Sequence, residues 1–233
     1  ILKFGIGQPL KRKEDNKFLT GNGNYTDDTR TKDPAYMYIL RSPFSFAKLK
    51  KVDFSKANQL NDVVNILDHK IISEMNINPM LPGFKVKNKD GSDMIETSRN
   101  ILAKNIVRYV GEPILAIIAK SQEAAEEAAD IIDVEYEALQ STTNIRDAVK
   151  DKAPIVRTEL KNNICFDWGL GNLDATNKAI EMSPYKINIQ LINNRLVPNP
   201  LECRNTNGSY DKNSGEYSLY CSSQGVHLSL IHI

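Results

Sequence analysis

Apolar and polar positions change rhythm twice between residues 111 and 139, GEPILAIIAKSQEAAEEAADIIDVEYEAL. ILAIIA (114–119) is an unbroken apolar run, which predicts a strand covered on both faces. After it, Ala125, Ala128, Ala129 and Ile132 recur at i, i+3, i+4 and i+7, one face of a helix. Ser121 suits the N-cap, and Glu123 suits the positive end of the helix dipole. The alanines are small, so this helix can lie close to a sheet. IDVEYE (132–137) then alternates strictly, with Ile132, Val134 and Tyr136 inward and Asp133, Glu135 and Glu137 outward. The predicted unit is strand–helix–strand. It carries no nucleophile and no glycine-rich phosphate turn, so its role is structural.

The rest of the chain is read the same way. YMYIL (36–40) is aromatic and branched enough for a strand, and Pro43 ends it. AKLKKVDF (47–54) alternates apolar and basic residues, the pattern of a half-buried strand. SKANQLND (55–62) suits a short helix capped by Ser55, and VVNIL (63–67) suits a strand. Residues 1–28 read as an irregular lead-in closed by the turn-rich TGNGNYTDD, and 72–99 as a long loop. Residues 140–163 lack periodicity and mark a connector. Beyond it, YKINIQLINNRLVPNP (185–200) predicts a long strand stopped by prolines. ECRNTNGSY and EYSLYCSS flank the turn DKNSG, which predicts a hairpin.

Composition narrows the class without deciding the chemistry. Hydrophobic residues make up 41% and charged residues 25% of the 233, ordinary for a soluble mixed α/β protein. The net charge of +1 gives no reason to expect nucleic acid or an acidic membrane as partner. The short basic runs LKRK (10–13) and KLKK (48–51) are expected to be solvated faces. Cys165, Cys203 and Cys221 are odd in number and form no C-x-x-C pair, so reduced thiols in a reducing compartment are expected. His69, His227 and His232 are scattered and offer no zinc pattern. No apolar run has the length of a membrane span, and no signal peptide is visible. The chain starts with Ile rather than Met, and the N-terminus is expected to be missing.

The candidate motifs are weak. GIGQP (5–9) and GNGNY (21–25) lack the strand before and the helix after that a dinucleotide fingerprint needs. WGLGN (168–172) is no phosphate cradle, and His69 reads as a surface or loop residue. Glu112 and Glu202 are single carboxylates, and a general acid or base needs a polarising partner and a pocket. Glu202 and Arg204, two apart on an expected strand, would share a face and form ion pairs across strands.

Six blocks, in order along the chain, are more specific than any of these motifs. They are GQPLKRKEDNKFLTGNGNYTDD (7–28), RSPFSFAKL (41–49), VRYVGEPILAIIA (107–119), VEYEAL (134–139), NRLVPNPLECR (194–204) and YSLYCSSQG (217–225). In the first, Arg12, Glu14, Asp15, Leu19, Thr20, Gly21, Gly23, Tyr25, Asp27 and Asp28 carry the pattern. Together the blocks resemble the molybdenum-binding large subunits of the xanthine dehydrogenase and aldehyde oxidase family. The branch they are most similar to is the aerobic carbon monoxide dehydrogenase large subunit, a label that also covers relatives with other substrates.

That resemblance implies an α+β fold. A lead-in (1–16) would precede an α/β-hammerhead domain (17–140). A connector (141–163) and the start of a molybdopterin-binding domain (164–233) would follow. It also implies chemistry: oxidation of carbon monoxide, an aldehyde or an N-heterocycle, with water as the oxygen source. The cofactor would be molybdenum on molybdopterin, in its cytosine dinucleotide form. Electrons would leave through iron–sulfur clusters on a small subunit and FAD on a medium subunit, in a dimer of heterotrimers located in the cytoplasm, or membrane-associated or exported as a folded complex. None of the three cysteines has cluster-ligand spacing. Gln224 matches the family glutamine that hydrogen-bonds an oxygen ligand of molybdenum, and Gly225 would let the backbone approach the cofactor.

Two features depart from the family. Cys203 stands where relatives often have proline, and LSLIHI (228–233) resembles read-through of a sequencing adapter rather than native sequence. The pterin loop, the active-site loop and the catalytic glutamate of relatives lie beyond residue 233. The expectation is therefore an N-terminal fragment that is inactive alone and contains neither a catalytic residue nor a metal ligand. The competing expectation is a non-catalytic hammerhead scaffold or interaction module, which an intact start and a stop codon in the genome would support.

Overall fold

A computed structural model of the chain describes residues 7, 9, 11–29, 31–194, 196–200, 202–223 and 225. In chain order the helices and strands are α1 (Asp15–Leu19), β1 (Tyr36–Arg41), β2 (Ala47–Asp53), β3 (Val63–Leu67), α2 (His69–Glu74), β4 (Ile106–Val107), β5 (Pro113–Ala119), α3 (Gln122–Asp130), β6 (Asp133–Ala138), α4 (Ile145–Ala148), α5 (Leu173–Met182), β7 (Thr206–Tyr210) and β8 (Tyr217–Cys221). Short 3-10 turns lie at Thr26–Asp28 and Ala57–Gln59. The chain divides into two compact units: residues 34–188, and residues 1–33 together with 189–233.

In the unit 34–188 the apolar run ILAIIA becomes the middle strand of an antiparallel sheet ordered β1-β5-β3. Ile114, Leu115 and Ile117 are almost wholly buried, as expected of a strand covered on both faces. Helix α3 packs on this sheet against β1, β5 and β3. Its buried residues are Ala125, Ala128 and Ala129, so the small face chosen by the helical period is the one that meets the strands. Ser121 caps it, its Oγ accepting the Ala124 N–H at 3.1 Å. β6 follows but joins a different antiparallel sheet, ordered β4-β2-β6. The connection from β5 through α3 thus links two sheets. Ala47 of β2 and Val107 of β4 are fully buried in the same apolar cluster as Ile66, Ile114 and Ile117.

The charged face of β2 and β6 follows from alternation plus one irregularity. Leu49 pairs with Tyr136 and Lys51 with Glu135, so the register skips Lys50. Lys48 and Lys50 both reach Glu137, at 2.8 and 2.6 Å. The KLKK run is therefore a solvated face neutralised across the strands.

Several expectations are corrected here. SKANQLND yields only a 3-10 turn at Ala57–Gln59, with Lys56 at its N-cap position and no side-chain cap. Ser55 instead gives its N–H to Asp53 Oδ1 at 3.1 Å. The segment is too short to offset the cost of helix nucleation. The loop expected from residue 72 begins inside α2, which Asp68 caps by accepting the Ile71 N–H at 2.8 Å. Asn76, at φ 57°, ends that helix in the left-handed conformation. The connector holds α4 and is pinned by Asn163, whose amide donates to Ala148 O and Pro154 O at 2.9 Å each. Helix α5, which periodicity did not single out, has no buried residue. The long strand expected over 185–200 is not formed by the described residues, which are exposed there and belong to no strand. A strand exists only when its backbone finds a partner edge.

In the unit 1–33 with 189–233, the lead-in forms the single-turn helix α1 where irregular chain is expected. The predicted hairpin is present: β7 and β8 pair from Thr206–Cys221 to Tyr210–Tyr217. Its turn closes through the Gly215 N–H to Asp211 O at 2.8 Å, with Gly215 at φ 74°.

Candidate functional site

The site residues singled out by sequence follow the end of β8. The ladder with β7 ends at Cys221, opposite Thr206. Ser222 and Asn205 then continue it: the Ser222 N–H meets Asn205 O, and the Asn205 N–H meets Ser222 Oγ, both at 3.4 Å. The Gly225 N–H donates to Ser223 Oγ at 3.1 Å. Gln224 lies outside the described residues.

The start of the chain is bound to this strand end by three contacts. Glu202 Oε1 accepts both the N–H and the hydroxyl of Thr26, each at 3.0 Å. The Asn205 amide donates to Asp27 Oδ1 at 2.7 Å. The Asn207 amide donates to Thr29 O at 2.8 Å. Asp28 closes its own 3-10 turn by accepting the Tyr25 N–H at 2.9 Å. Tyr25 stacks in parallel with Phe18 at 6.0 Å between ring centres. The expectation for Glu202 and Arg204 is thus corrected. Neither lies in a strand, and among the described residues neither forms an ion pair. A carboxylate that accepts a backbone N–H and a hydroxyl from the same residue acts as a clasp. Three blocks far apart in sequence, 7–28, 194–204 and 217–225, therefore converge in one unit.

The other three blocks converge in the unit 34–188. Gly111 N–H donates to Ser42 O at 2.7 Å, and the Ser42 N–H donates to Glu112 O at 2.9 Å. Arg41 reaches Gly111 O at 2.9 Å. Gly111 adopts φ 88°, a conformation that strains other residues. The Glu112 side chain is 3% exposed and accepts the Arg108 N–H, so it holds the 108–112 turn. Phe44 packs on Tyr136 at 4.7 Å between ring centres, and the Leu139 N–H donates to Phe46 O at 2.9 Å. Blocks 41–49, 107–119 and 134–139 are one packed assembly.

The sequence profile described as aldehyde oxidase and xanthine dehydrogenase, a/b hammerhead domain, matches residues 20–140, more than half of the chain. The chain belongs to the aldehyde oxidase and xanthine dehydrogenase family. It is similar to the nicotine 6-hydroxylase large subunit of Paenarthrobacter nicotinovorans, with 26% identity over 97% of this chain and 27% of that protein. It is likewise similar to the carbon monoxide dehydrogenase large chain of Afipia carboxidovorans, with 26% identity over 96% of this chain and 28% of that one. The crystal structure of quinoline 2-oxidoreductase from Pseudomonas putida 86 superposes with a TM-score of 0.75 at 26% identity, covering 94% of this chain and 27% of that one. The chain spans 27% and 28% of the length of these two curated relatives.

Measured against that family, the described residues offer hydrogen-bonding groups rather than metal ligands. Among them, no three His, Cys, Asp or Glu side chains gather into a group able to hold a metal ion. The three cysteines are free thiols, Cys203 and Cys221 exposed and Cys165 half-buried. His69 is the first residue of α2 rather than a loop residue, its Nδ1 3.3 Å from Leu102 O. The strongest electrostatic perturbations lie on the hammerhead surface. Lys48 and Lys50 pull the Glu137 carboxyl down to about 2 by hydrogen bonding and charge. Lys51 and the Ser55 N–H hold Asp53 well below the usual carboxylate range. Pattern reading missed Glu202, Asn205 and Asn207 as clasp residues. No periodicity marks a side chain whose partner is 176 or 178 positions away.

Proposed function

We propose that this chain is part of the catalytic large subunit of a molybdenum hydroxylase, oxidising carbon monoxide, an aldehyde or an N-heterocycle with water as the oxygen source. The observation that carries the reading is the convergence of residues 26–29, 202–207 and Ser222 at the end of β8 in one unit. It supports a strand end held firmly enough to present a hydrogen-bonding side chain. In this reading Gln224 and Gly225 belong to the cofactor-facing turn. Molybdenum, held by the pterin dithiolene in its cytosine dinucleotide form, carries the redox chemistry, and the chain supplies position and electrostatics. Iron–sulfur and FAD subunits take the electrons, in a dimer of heterotrimers in the cytoplasm, or membrane-associated or exported as a folded complex. The hammerhead over 17–140 is a scaffold, 141–163 a connector, and 164 onward the start of the cofactor-binding region. Residues 1–233 expressed alone are inactive.

The test is Gln224→Ala in the full-length protein purified with its partner subunits. Turnover should fall while the content of molybdenum stays near wild type. Unchanged turnover would remove Gln224 from the site. A full-length protein that folds without molybdenum would favour a non-catalytic scaffold.

A further inference from the structure

The chain holds two Asn-Gly pairs, Asn22–Gly23 and Asn207–Gly208. In such a pair the glycine nitrogen can attack the asparagine side chain, because glycine has no Cβ to crowd the ring that forms and its backbone bends freely. The structure treats the two pairs differently. Asn207 is half-buried in β7 opposite Tyr220, and Gly208 lies opposite Leu219, so both are held in the ladder. The Asn207 amide is also committed to Thr29 O at 2.8 Å. Asn22 is exposed and belongs to no helix or strand. Its side chain meets only the Thr20 hydroxyl among the described residues, at 2.9 Å. Among the same residues nothing accepts the Gly23 N–H, so the attacking nitrogen is free. Packing fixes the glycine: a Cβ at position 23 would stand 2.8 Å from Cδ1 of Phe18, whose ring stacks on Tyr25.

We propose that Asn22 is a site of spontaneous deamidation, and that its isoaspartyl product loosens the contact between Thr26 and Glu202. The Gly23 nitrogen bonds to Asn22 Cγ, and the bond from Cγ to the side-chain nitrogen breaks. Ammonia leaves with the Gly23 proton, and a succinimide ring remains. Water then opens the ring. Opening at Cγ gives aspartate. Opening at the main-chain carbonyl gives isoaspartate, with the peptide link now routed through Cγ. No oxidant or reductant takes part. Both products carry a carboxylate that is ionised at neutral pH. Isoaspartate also adds a carbon to the main chain. Position 22 accommodates that poorly, because its N–H closes α1 by donating to Lys17 O at 2.9 Å. Phe18 of that helix stacks on Tyr25, and Tyr25 opens the 3-10 turn that presents Thr26 to Glu202 Oε1. The inserted carbon falls between α1 and that turn.

The full-length protein, purified with its partner subunits, is aged in warm, mildly alkaline buffer, both folded and in urea. Mass spectrometry of peptides follows the two asparagines, and enzymatic methylation reports isoaspartate. In the folded protein Asn22 should convert at least ~10-fold faster than Asn207, which reacts only when its hairpin opens. In urea the two rates should come within about two-fold of each other, since neither pair is then held. Equal rates in the folded protein would overturn the proposal, as would a preference for Asn22 that persists unchanged in urea. Limited proteolysis reads the consequence. Aged protein should be cut within residues 20–30 at least ~3-fold faster than fresh protein. Aged Asn22→Gln, whose longer side chain closes a ring far more slowly, should match its own fresh sample. Wild-type cleavage that does not rise with isoaspartate, or that rises equally in Asn22→Gln, would refute the effect on the clasp.

Discussion

Replacing Ile117 by alanine removes three carbons from the centre of the hammerhead core. The residue is fully buried, in the middle strand of its sheet, opposite Ile39's neighbour Tyr38 on one side and Ile66 on the other. The lost transfer free energy alone is about 2.4 kcal/mol, at roughly 0.8 kcal/mol per buried carbon. The cavity left behind adds to it, because sheet neighbours on both sides limit collapse, and a total of about 3–4 kcal/mol is expected. For a unit of this size that corresponds to a fall in melting temperature of about 6–16 °C. The matched control is Val64→Ala in the adjacent strand β3, where the side chain is 59% exposed and the change should stay within about 0.5 kcal/mol. Both are read by calorimetry and by urea melts followed by circular dichroism, with the slope unchanged. A loss for I117A no larger than that for V64A would refute the placement of β5 at the centre of the core.

Three further outcomes follow from single contacts. Ser121→Ala should destabilise the hammerhead by about 1 kcal/mol in the same melts, through loss of the α3 cap. Glu202→Ala should cost about 1–3 kcal/mol locally, because the Thr26 N–H loses a charged acceptor, and protease cleavage around residues 20–30 should accelerate; Glu202→Gln should recover part of this. The Glu137 carboxyl sits at about 2 in the folded chain against an ordinary 4.5, so its contribution is complete above about 4.5 and is lost as pH falls towards 2. Denaturant melts across that window should show a pH slope that E137Q reduces and that added salt weakens, since the side chain is solvated.

How much of this was legible in the sequence depends on where each residue's partner lies. β5 and α3 are specified locally, by a continuous apolar run, a capping serine and three alanines on one helical face, and they form as expected. The β7–β8 hairpin is also local, since its turn residues lie between its strands. What no local pattern shows is that β5 and β6 enter different sheets. That depends on β2, about 80 positions before β6, offering its edge. Ser55 misled because the segment after it forms only a three-residue 3-10 turn with Lys56 at its N-cap position, so its hydroxyl has no helix to cap. The clasp at Glu202 joins opposite ends of the chain and is invisible to any window. The six blocks foretold the family, but not that they would sort three and three into two packed assemblies.

The most direct test of the large-subunit reading is elemental analysis of the full-length protein, purified with its partner subunits. Stoichiometric molybdenum in that complex, and none in residues 1–233 expressed alone, is the expected result. A full-length complex that folds with an intact hammerhead yet contains no molybdenum, or residues 1–233 that retain it stoichiometrically, would contradict it.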